Sequence, residues 1–481
     1  MIFSKPNTII GGIILSGLCW YLSCGLNGDY WWLLWIAPIP VLLISLNVSA
    51  GKAFIVAFLA YLIGRLSWVP YLLSVVPVPI TLLFTVLLPL IFGLVIVISR
   101  KIILNSAHWT AALAFPVCCV SFEYLFFLLS RDGTFASIAY AESDFLPLIQ
   151  LASITGITGI TFLVCLFPSV IAMSIYYRKI KTVRNYSISI TAVLLAAVFL
   201  FGLIRLRNSS TQNQIAVGMA IIERKLHFET DNSKTENEIH IIQLYEQEIT
   251  RLTKQGAKVI VLPEKIITLS PNNGAILIKL LKDIAVRQHI SIVIGCTRDN
   301  KVNKENIGLV ISSAGEILND YQKVNLFEGE IYEGFIPGKN IGLFSLDNIP
   351  SGIAVCKDMD FQQYMHKYGQ QNAKVLYVPA WDFNKDAWLH SRMAILRGVE
   401  NGYGVIRNAM EGRLTISDDR GRVLYEASCA DGRPASLFGK LPVEENKTFY
   451  SMAGDWFSIT CLFAFLYFLW FSFFAKKNKS A

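Results

Sequence analysis

Apolar residues are distributed along this chain in two different ways. Up to about residue 205 they form long, nearly uncharged blocks, and one more block lies at 455–475. Between these, residues 206–454 alternate short β-branched runs with stretches of helical period. A block of about 18 or more apolar residues has the length needed to cross a bilayer core. The blocks predict spans at 8–25, 30–48, 53–75, 78–99, 108–129, 150–176, 187–205 and 455–475. The expected organisation is a seven-helix transmembrane domain over 1–205, a water-facing domain over 206–454, and a last helix with a basic tail over 455–481.

Within 206–454, six runs read as buried strands: QIAVGMAII (214–222), KVIVLPE (258–264), SIVIGC (291–296), GLVISS (308–313), SGIAVC (351–356) and VLYVPAW (375–381). In ENEIHIIQLYEQEITRLTK, Ile242, Tyr245, Ile249 and Leu252 recur at helical spacing and make one apolar face. A second helix is expected over 273–289, and SSTQNQ at 209–214 is the expected hinge. Such alternation predicts an α/β domain. The runs alone leave open whether its strands form one doubly wound sheet or a sandwich of two.

Composition agrees with a membrane protein: 53% of the 481 residues are hydrophobic and 16% are charged. The short loops sort by charge. Lys5, Lys52, Arg100, Lys101, Arg178, Lys179, Lys181, Arg184, Lys476, Lys477 and Lys479 fall on one side, which places both termini in the cytoplasm. The loops near 26–29, 75–79 and 130–148, and all of 206–454, are then expected to face out. The first span lacks the small-residue cleavage site of a signal peptide and reads as a retained helix. The same basic loops account for much of the net charge of +8. Anionic lipid headgroups are sufficient partners for them, so no nucleic acid is expected.

Of nine cysteines, Cys19, Cys24, Cys118, Cys119, Cys165 and Cys461 lie in apolar spans, where a thiol is ordinarily a small hydrophobe. Cys296, Cys356 and Cys429 remain, an odd number. No C-x-x-C pair or His/Cys cluster has metal-ligand spacing, and no phosphate-binding glycine motif follows a strand, so neither metal nor cofactor is expected.

Three strand ends carry reactive groups: Glu264 in VLPEK, Lys323 in NDYQKVNLFEGE, and Cys356 in SGIAVCKD. Brought together, the carboxylate can take the thiol proton, the ammonium can stabilise thiolate and oxyanion, and the cysteine can carry an acyl group. Each alone is more often a packed thiol or a solvated charge. Order and context carry the case. Glu264, Lys323 and Cys356 match the Glu-Lys-Cys triad of the nitrilase superfamily. The stretch VPAWDFNKDAWLHSRMAILRGVENGYGVIRNAMEGRLTISDDRGRVLYE resembles that superfamily's segment after the cysteine, with His390, Arg397 and Glu400 on a helix, Arg407 on a strand, and a hairpin carrying Asp419 and Gly421.

GTFASIAYAESDFLPLIQLASITGITGITFLV (133–164) and WVPY (68–71) are similar to the membrane half of the apolipoprotein N-acyltransferases, the membrane-embedded branch of that superfamily. The resemblance implies an extracytoplasmic nitrilase-like α-β-β-α sandwich on a multi-pass protein of the bacterial inner membrane. It implies acyl transfer from a phospholipid, through a thioester on Cys356 with Glu264 as base, to the amine of a diacylglyceryl lipoprotein. Glu330, rather than Glu328, is the match to a second active-site carboxylate, and the backbone amides after Cys356 join Lys323 as oxyanion donors.

Asp358 takes the place of the family's usual glutamate, and Lys357 stands where a tyrosine is usual, which sets a charge beside the nucleophile. The 32 residues between Lys323 and Cys356 are a short connection for this family, and MEG (410–412) replaces its Asn-rich turn. Arg397 and Glu400 are expected to pair in support of the site. Trp381 and Trp388 are candidates to line an acyl pocket or to anchor at headgroup level, and Arg65, inside a span, is a functional candidate by its cost there. Nothing in the sequence demands an oligomer, and a monomer is expected. The competing readings are a membrane-anchored carbon–nitrogen hydrolase, an acyltransferase for another amine, and a transporter or scaffold with an inactive domain.

Overall fold

The computed structural model describes residues 2–207, 213–223, 235–444 and 446–474. Most of the expected hinge, 209–212, and the basic tail therefore lie outside the described residues. The chain forms two compact units. One comprises Met1–Arg131, Ala136–Arg205 and Asp455–Ala481; the other comprises Asp132–Phe135 and Leu206–Gly454.

The first unit is helical: α1 (Pro6–Ser23), α2 (Pro38–Ser45), α3 (Ala50–Arg65), α4 (Val69–Val75), α5 (Val78–Asn105), α6 (Ala114–Leu129), α7 (Leu146–Ile149), α8 (Ala152–Thr155), α9 (Ile157–Tyr176), α10 (Lys181–Arg207) and the Trp456–Phe474 helix. Among the described residues, five helical stretches are long and apolar enough to cross a membrane: Ala50–Val75, Val78–Asn105, Trp109–Leu129, Ile157–Tyr176 and Lys181–Arg207. Of the other expected spans, 8–25 and 455–475 are the helices Pro6–Ser23 and Trp456–Phe474, while 30–48 is broken. Tyr30 takes a left-handed backbone (φ 54°), and a 3₁₀ turn at Trp31–Trp35 precedes α2, which starts at Pro38. The expected 150–176 span is interrupted at Gly156, whose φ of 68° ends α8 and starts α9. On α5, Leu82, Leu83, Leu90 and Leu94 are exposed while Phe92, Ile96 and Ile103 are buried. A helix apolar on its outer face as well as its inner one needs an apolar solvent.

The second unit is built on two sheets. Strands β1 (Gln214–Ile221), β2 (Val259–Val261), β4 (Ser291–Asp299), β5 (Lys304–Ile311), β6 (Ile317–Gln322) and β13 (Ala435–Pro442) form the first in the order β13-β1-β2-β4-β5-β6, with β3 (Ile267–Leu269) paired to β4. The second runs β12-β11-β10-β9-β8-β7, from β7 (Gly342–Leu346), β8 (Ile349–Ile353), β9 (Val375–Trp381), β10 (Gly404–Met410), β11 (Arg413–Ser417) and β12 (Val423–Ser428). The central strands β1, β2 and β4, and likewise β8, β9 and β10, are parallel.

Helices α11 (Thr235–Lys254) and α12 (Gly274–Gln288) pack on the first sheet, and α14 (Gln362–Gln370) and α15 (Ala387–Asn401) on the second; the short α13 (Glu328–Tyr332) follows β6. Side-chain alternation along β9 separates two cores. Val375 and Tyr377 point between the sheets, where they meet Val261, Ile292 and Ile294, while Leu376 and Val378 meet Tyr368 and Ala394 under the helices. The domain is thus an α-β-β-α sandwich, the alternative that strand periodicity left undecided. On α11, Ile242, Tyr245, Ile249 and Leu252 are all buried, as their spacing implies. From β10, the Asn408 amide donates to the carbonyls of Ala220 (3.1 Å) and Val261 (2.7 Å), which joins the two sheets.

Candidate active site

Glu264 leaves β2 through a turn pressed against β4. A Cβ on Gly295 would lie 2.5 Å from the Glu264 Cα and 2.7 Å from the Pro263 carbonyl oxygen, so only glycine admits this approach. Lys323 follows β6, its amide bonded to the Asn306 carbonyl of β5 at 2.8 Å. Cys356 follows β8 and opens the 3₁₀ turn Cys356–Asp360.

Glu264, Lys323 and Glu330 meet in a nearly dry cluster, each 1–2% exposed. Lys323 Nζ donates to Glu264 Oε1 and to Glu330 Oε2, both at 2.9 Å. Asn306 Nδ2 reaches Glu264 Oε1 (2.6 Å) and Glu330 Oε1 (2.5 Å). The Phe327 amide (2.9 Å) and Lys265 (3.3 Å) complete the partners of Glu330. Burial opposes the charge on Lys323, but Glu264 and Glu330 overcome it and hold its pKa well above the ordinary lysine value. Burial likewise pushes Glu330 up, and Lys323 with Lys265 outweighs it, so that this carboxylate is held down to about 2. Glu328, the competing position, is a partner of the Tyr332 hydroxyl (3.3 Å) instead.

Cys356 has a left-handed backbone, φ 45°. For a side chain with a Cβ this costs on the order of 1–3 kcal/mol, a strain that the surroundings must impose. Asp358 imposes it. Its carboxylate accepts from the amides of Val355 (3.0 Å) and Asn325 (2.8 Å), from the Asn325 side chain (3.1 Å), and from the Tyr321 hydroxyl (2.7 Å). Burial raises the Asp358 pKa despite these donors. Asp358 therefore braces the turn from behind. Of the amides after Cys356, that of Asp358 is committed to the Val355 carbonyl at 3.0 Å.

The thiol of Cys356 points to the Trp381 carbonyl at 3.4 Å. Burial and the nearby Glu264 push its pKa well up, against the pull of Lys323. Cys356 is thus held as a thiol, and an attack by its sulfur would need a base. Asp382 and Arg407 also act on it electrostatically; they form a bidentate pair at 2.8 and 2.5 Å behind Trp381. Trp381 itself is partly exposed, with Nε1 3.4 Å from Glu411. Trp388 is buried, and the Arg392 guanidinium lies 5.7 Å from its ring centre.

His390 lies between Asp386 (3.1 Å) and Asp360 (3.6 Å), which hold its pKa well above the usual value in spite of burial. Arg397 and Glu400, fully buried, pair at 3.0 Å on α15. Asp419 accepts from Asn446 at 2.5 Å, and Gly421 (φ 77°) turns the β11–β12 hairpin. In the helical unit, Arg65 is 4% exposed with its guanidinium 4.1 Å from the Trp68 ring centre. Lys357 turns away from the thiol to Asp132, at 2.6 Å, and passes over the Phe327 ring. Sequence reading missed Asn306, Asp382 and Asp132. Only Asp382, three residues past the proline of VPAWD, stood in a stretch already singled out.

Known proteins match both halves of the chain. The family model "Apolipoprotein N-acyltransferase N-terminal domain" matches residues 16–170, and "Carbon-nitrogen hydrolase" matches 216–431. An apolipoprotein N-acyltransferase of Geobacter metallireducens is 24% identical over 89% of this chain and 89% of its own length. Apolipoprotein N-acyltransferase 1 of Treponema denticola is 22% identical over 72% of this chain and 74% of its own. A 2-oxoglutaramate amidase of Bacillus subtilis is 28% identical over 37% of this chain and 76% of its own length. Among solved structures, an amidase from Nesterenkonia sp. aligns with 47% of this chain and 90% of its own at 20% identity, TM-score 0.42. With the helical half and the sandwich half each matched in order, the chain belongs to the apolipoprotein N-acyltransferase family, the membrane-embedded branch of the carbon–nitrogen hydrolases.

Proposed function

We propose that this protein acylates the α-amine of a diacylglyceryl-cysteine at the N-terminus of lipoproteins, with a membrane phospholipid as donor and Cys356 as the carrier. The observation that supports it most is the buried Glu264–Lys323–Glu330 cluster set against a strained cysteine, in a chain whose other half is membrane-spanning helices.

Glu264 takes the proton of the Cys356 thiol as sulfur attacks the ester carbonyl. The tetrahedral oxyanion is stabilised by Lys323 and by the backbone of the turn. The ester C–O bond breaks, Glu264 returns the proton to the leaving lysophospholipid oxygen, and a thioester remains on Cys356. The lipoprotein amine then attacks the thioester, loses its proton to Glu264, and forms an amide as the thiol is regenerated. Glu330 keeps Lys323 charged throughout. Trp381 lies beside the sulfur and is assigned to the acyl path, and Arg397–Glu400 to support of α15. On this reading the sandwich faces the periplasm, both termini are cytoplasmic, all eight apolar segments lie in the inner membrane, and one chain suffices.

The similarity to an amidase favours a second reading in which water replaces the amine and a small amide replaces the phospholipid. The test is to incubate detergent-solubilised protein with a phospholipid carrying a labelled acyl chain. A hydroxylamine-sensitive label on Cys356, discharged by a diacylated lipopeptide, is expected. Ammonia release from small amides without any lipid label sinks the acyltransferase reading.

A further inference from the structure

One short stretch outside residues 206–454 belongs to the catalytic unit: Asp132–Phe135, which lies in sequence between α6 and the 3₁₀ turn Ile138–Glu142. Three of its four side chains touch the residues that follow the nucleophile, or the histidine beside them. Asp132 Oδ1 accepts from Lys357 Nζ at 2.6 Å. The Thr134 amide (2.9 Å) and hydroxyl (2.7 Å) both donate to the Asp360 carbonyl. The Phe135 ring stacks on His390, centroids 5.3 Å apart and 22° between planes. Gly133 takes φ 51° where a Cβ would lie 2.4 Å from the Asp360 carbonyl oxygen, so the strap is in close contact along its whole length.

Lys357 is 7% exposed and directly follows Cys356. An ammonium that dry needs a partner. The pair is long-range, its members 225 positions apart, and depends on a charge at the position where a tyrosine is usual in the family. We propose that Asp132–Phe135 is a positioning strap of the acyl-transfer site, in which Asp132 neutralises Lys357 while Thr134 and Phe135 fix the turn 357–360 and His390, so that Cys356 is aligned for attack. This rests on Cys356 being the nucleophile of the reaction proposed above.

The charges that act on the thiol are Glu264, Lys323, Asp382 and Arg407, and none of them belongs to the strap. Removing the Asp132 charge therefore leaves their arrangement in place and takes from Lys357, next in sequence to the thiol, the carboxylate that holds its ammonium away from it. Two measurements read this out in full-length protein in detergent: alkylation of Cys356 by iodoacetamide as a function of pH, and the rate of thioester formation from a phospholipid with a labelled acyl chain. In Asp132→Asn the alkylation profile moves to lower pH, because an unpaired cation favours the thiolate. Thioester formation slows by about tenfold, the size of coupling expected of contacting charges.

In a Lys357→Met background, Asp132→Asn has no further effect on either measurement. An unshifted alkylation profile in Asp132→Asn, or losses that simply add in the double variant, overturns the strap. If wild-type protein takes no acyl label while the Asp132→Asn alkylation profile still shifts, the transfer reading is refuted and the strap stands.

Discussion

Lys323 and Glu264 are in contact at 2.9 Å with both side chains about 1% exposed, and the third member, Glu330, lies on the far side of the ammonium at the same distance. Two carboxylates hold one ammonium, and Lys265 reaches Glu330 as well. Lys323 thereby stays charged although it is buried.

Glu330 carries a pH signature. Its folded pKa of about 2 lies below that of an ordinary glutamate, so its contribution to stability is complete above the unfolded value and is lost as pH falls toward 2. The window runs from about pH 4.5 down to about 2, and the contribution is about 3 kcal/mol. Acid unfolding of the wild type is expected to steepen across this window, and Glu330→Gln is expected to lose that steepness. A Glu330→Gln variant with an unchanged acid limb would mean that the pair is not coupled to folding.

Asn306 donates to both carboxylates with one amide group. Asn306→Leu strips a donor from each and leaves charged oxygens under-satisfied, at a cost of about 1–3 kcal/mol. Thioester formation is expected to fall at least tenfold while the helical unit is unaffected. Single-turnover labelling from a phospholipid is the measurement, and a rate within twofold of wild type refutes this role.

The left-handed backbone at Cys356 separates stability from chemistry. Cys356→Ala and Cys356→Gly both abolish acyl labelling, since both lack the sulfur. Glycine tolerates φ 45° without strain, so Cys356→Gly is expected to be more stable than Cys356→Ala by about 1 kcal/mol. Thermal unfolding in detergent compares the two, and equal midpoints would show that the turn is unstrained.

Gly295 touches no reacting group, yet a methyl there would drive into the Glu264 backbone. Gly295→Ala is expected to displace the base and to lower thioester formation by roughly a hundredfold, as misplacement of about 1 Å can do. Alkylation of Cys356 by iodoacetamide should persist in this variant, because the β8 turn belongs to the other sheet. Loss of both would mean a collapsed domain rather than a moved base.

Local pattern announced much of this site. SGIAV and VLYVPAW read as strands from their runs alone, and Glu264, Lys323 and Cys356 stood at strand ends in the order of a known triad. What pattern could not express was partnership across sequence. Asn306 sits inside KENIGLVI, where a polar residue at the start of a strand looks ordinary, and only the fold turns its amide toward two carboxylates. Asp132 is hidden for the same reason, in a loop between apolar blocks. Strand periodicity gives each residue a face but no sheet, which is why the choice between one sheet and two waited for the register of β8 against β9. Hydropathy reads straight across Pro38 and Gly156, where the backbone breaks although the composition does not change, so it shows the apolar blocks and not the helix starts inside them.

The Asn408 amide that joins β10 to the carbonyls of Ala220 and Val261 stands at the seam between the two sheets. Glu264 and Lys323 come from one side of that seam and Cys356 from the other. While the chain is being made, residues through Glu330 can supply the whole charged cluster before Cys356 has been added. Any chemistry that needs both groups begins only when the sheets close on each other, so this arrangement builds a delay into its own completion.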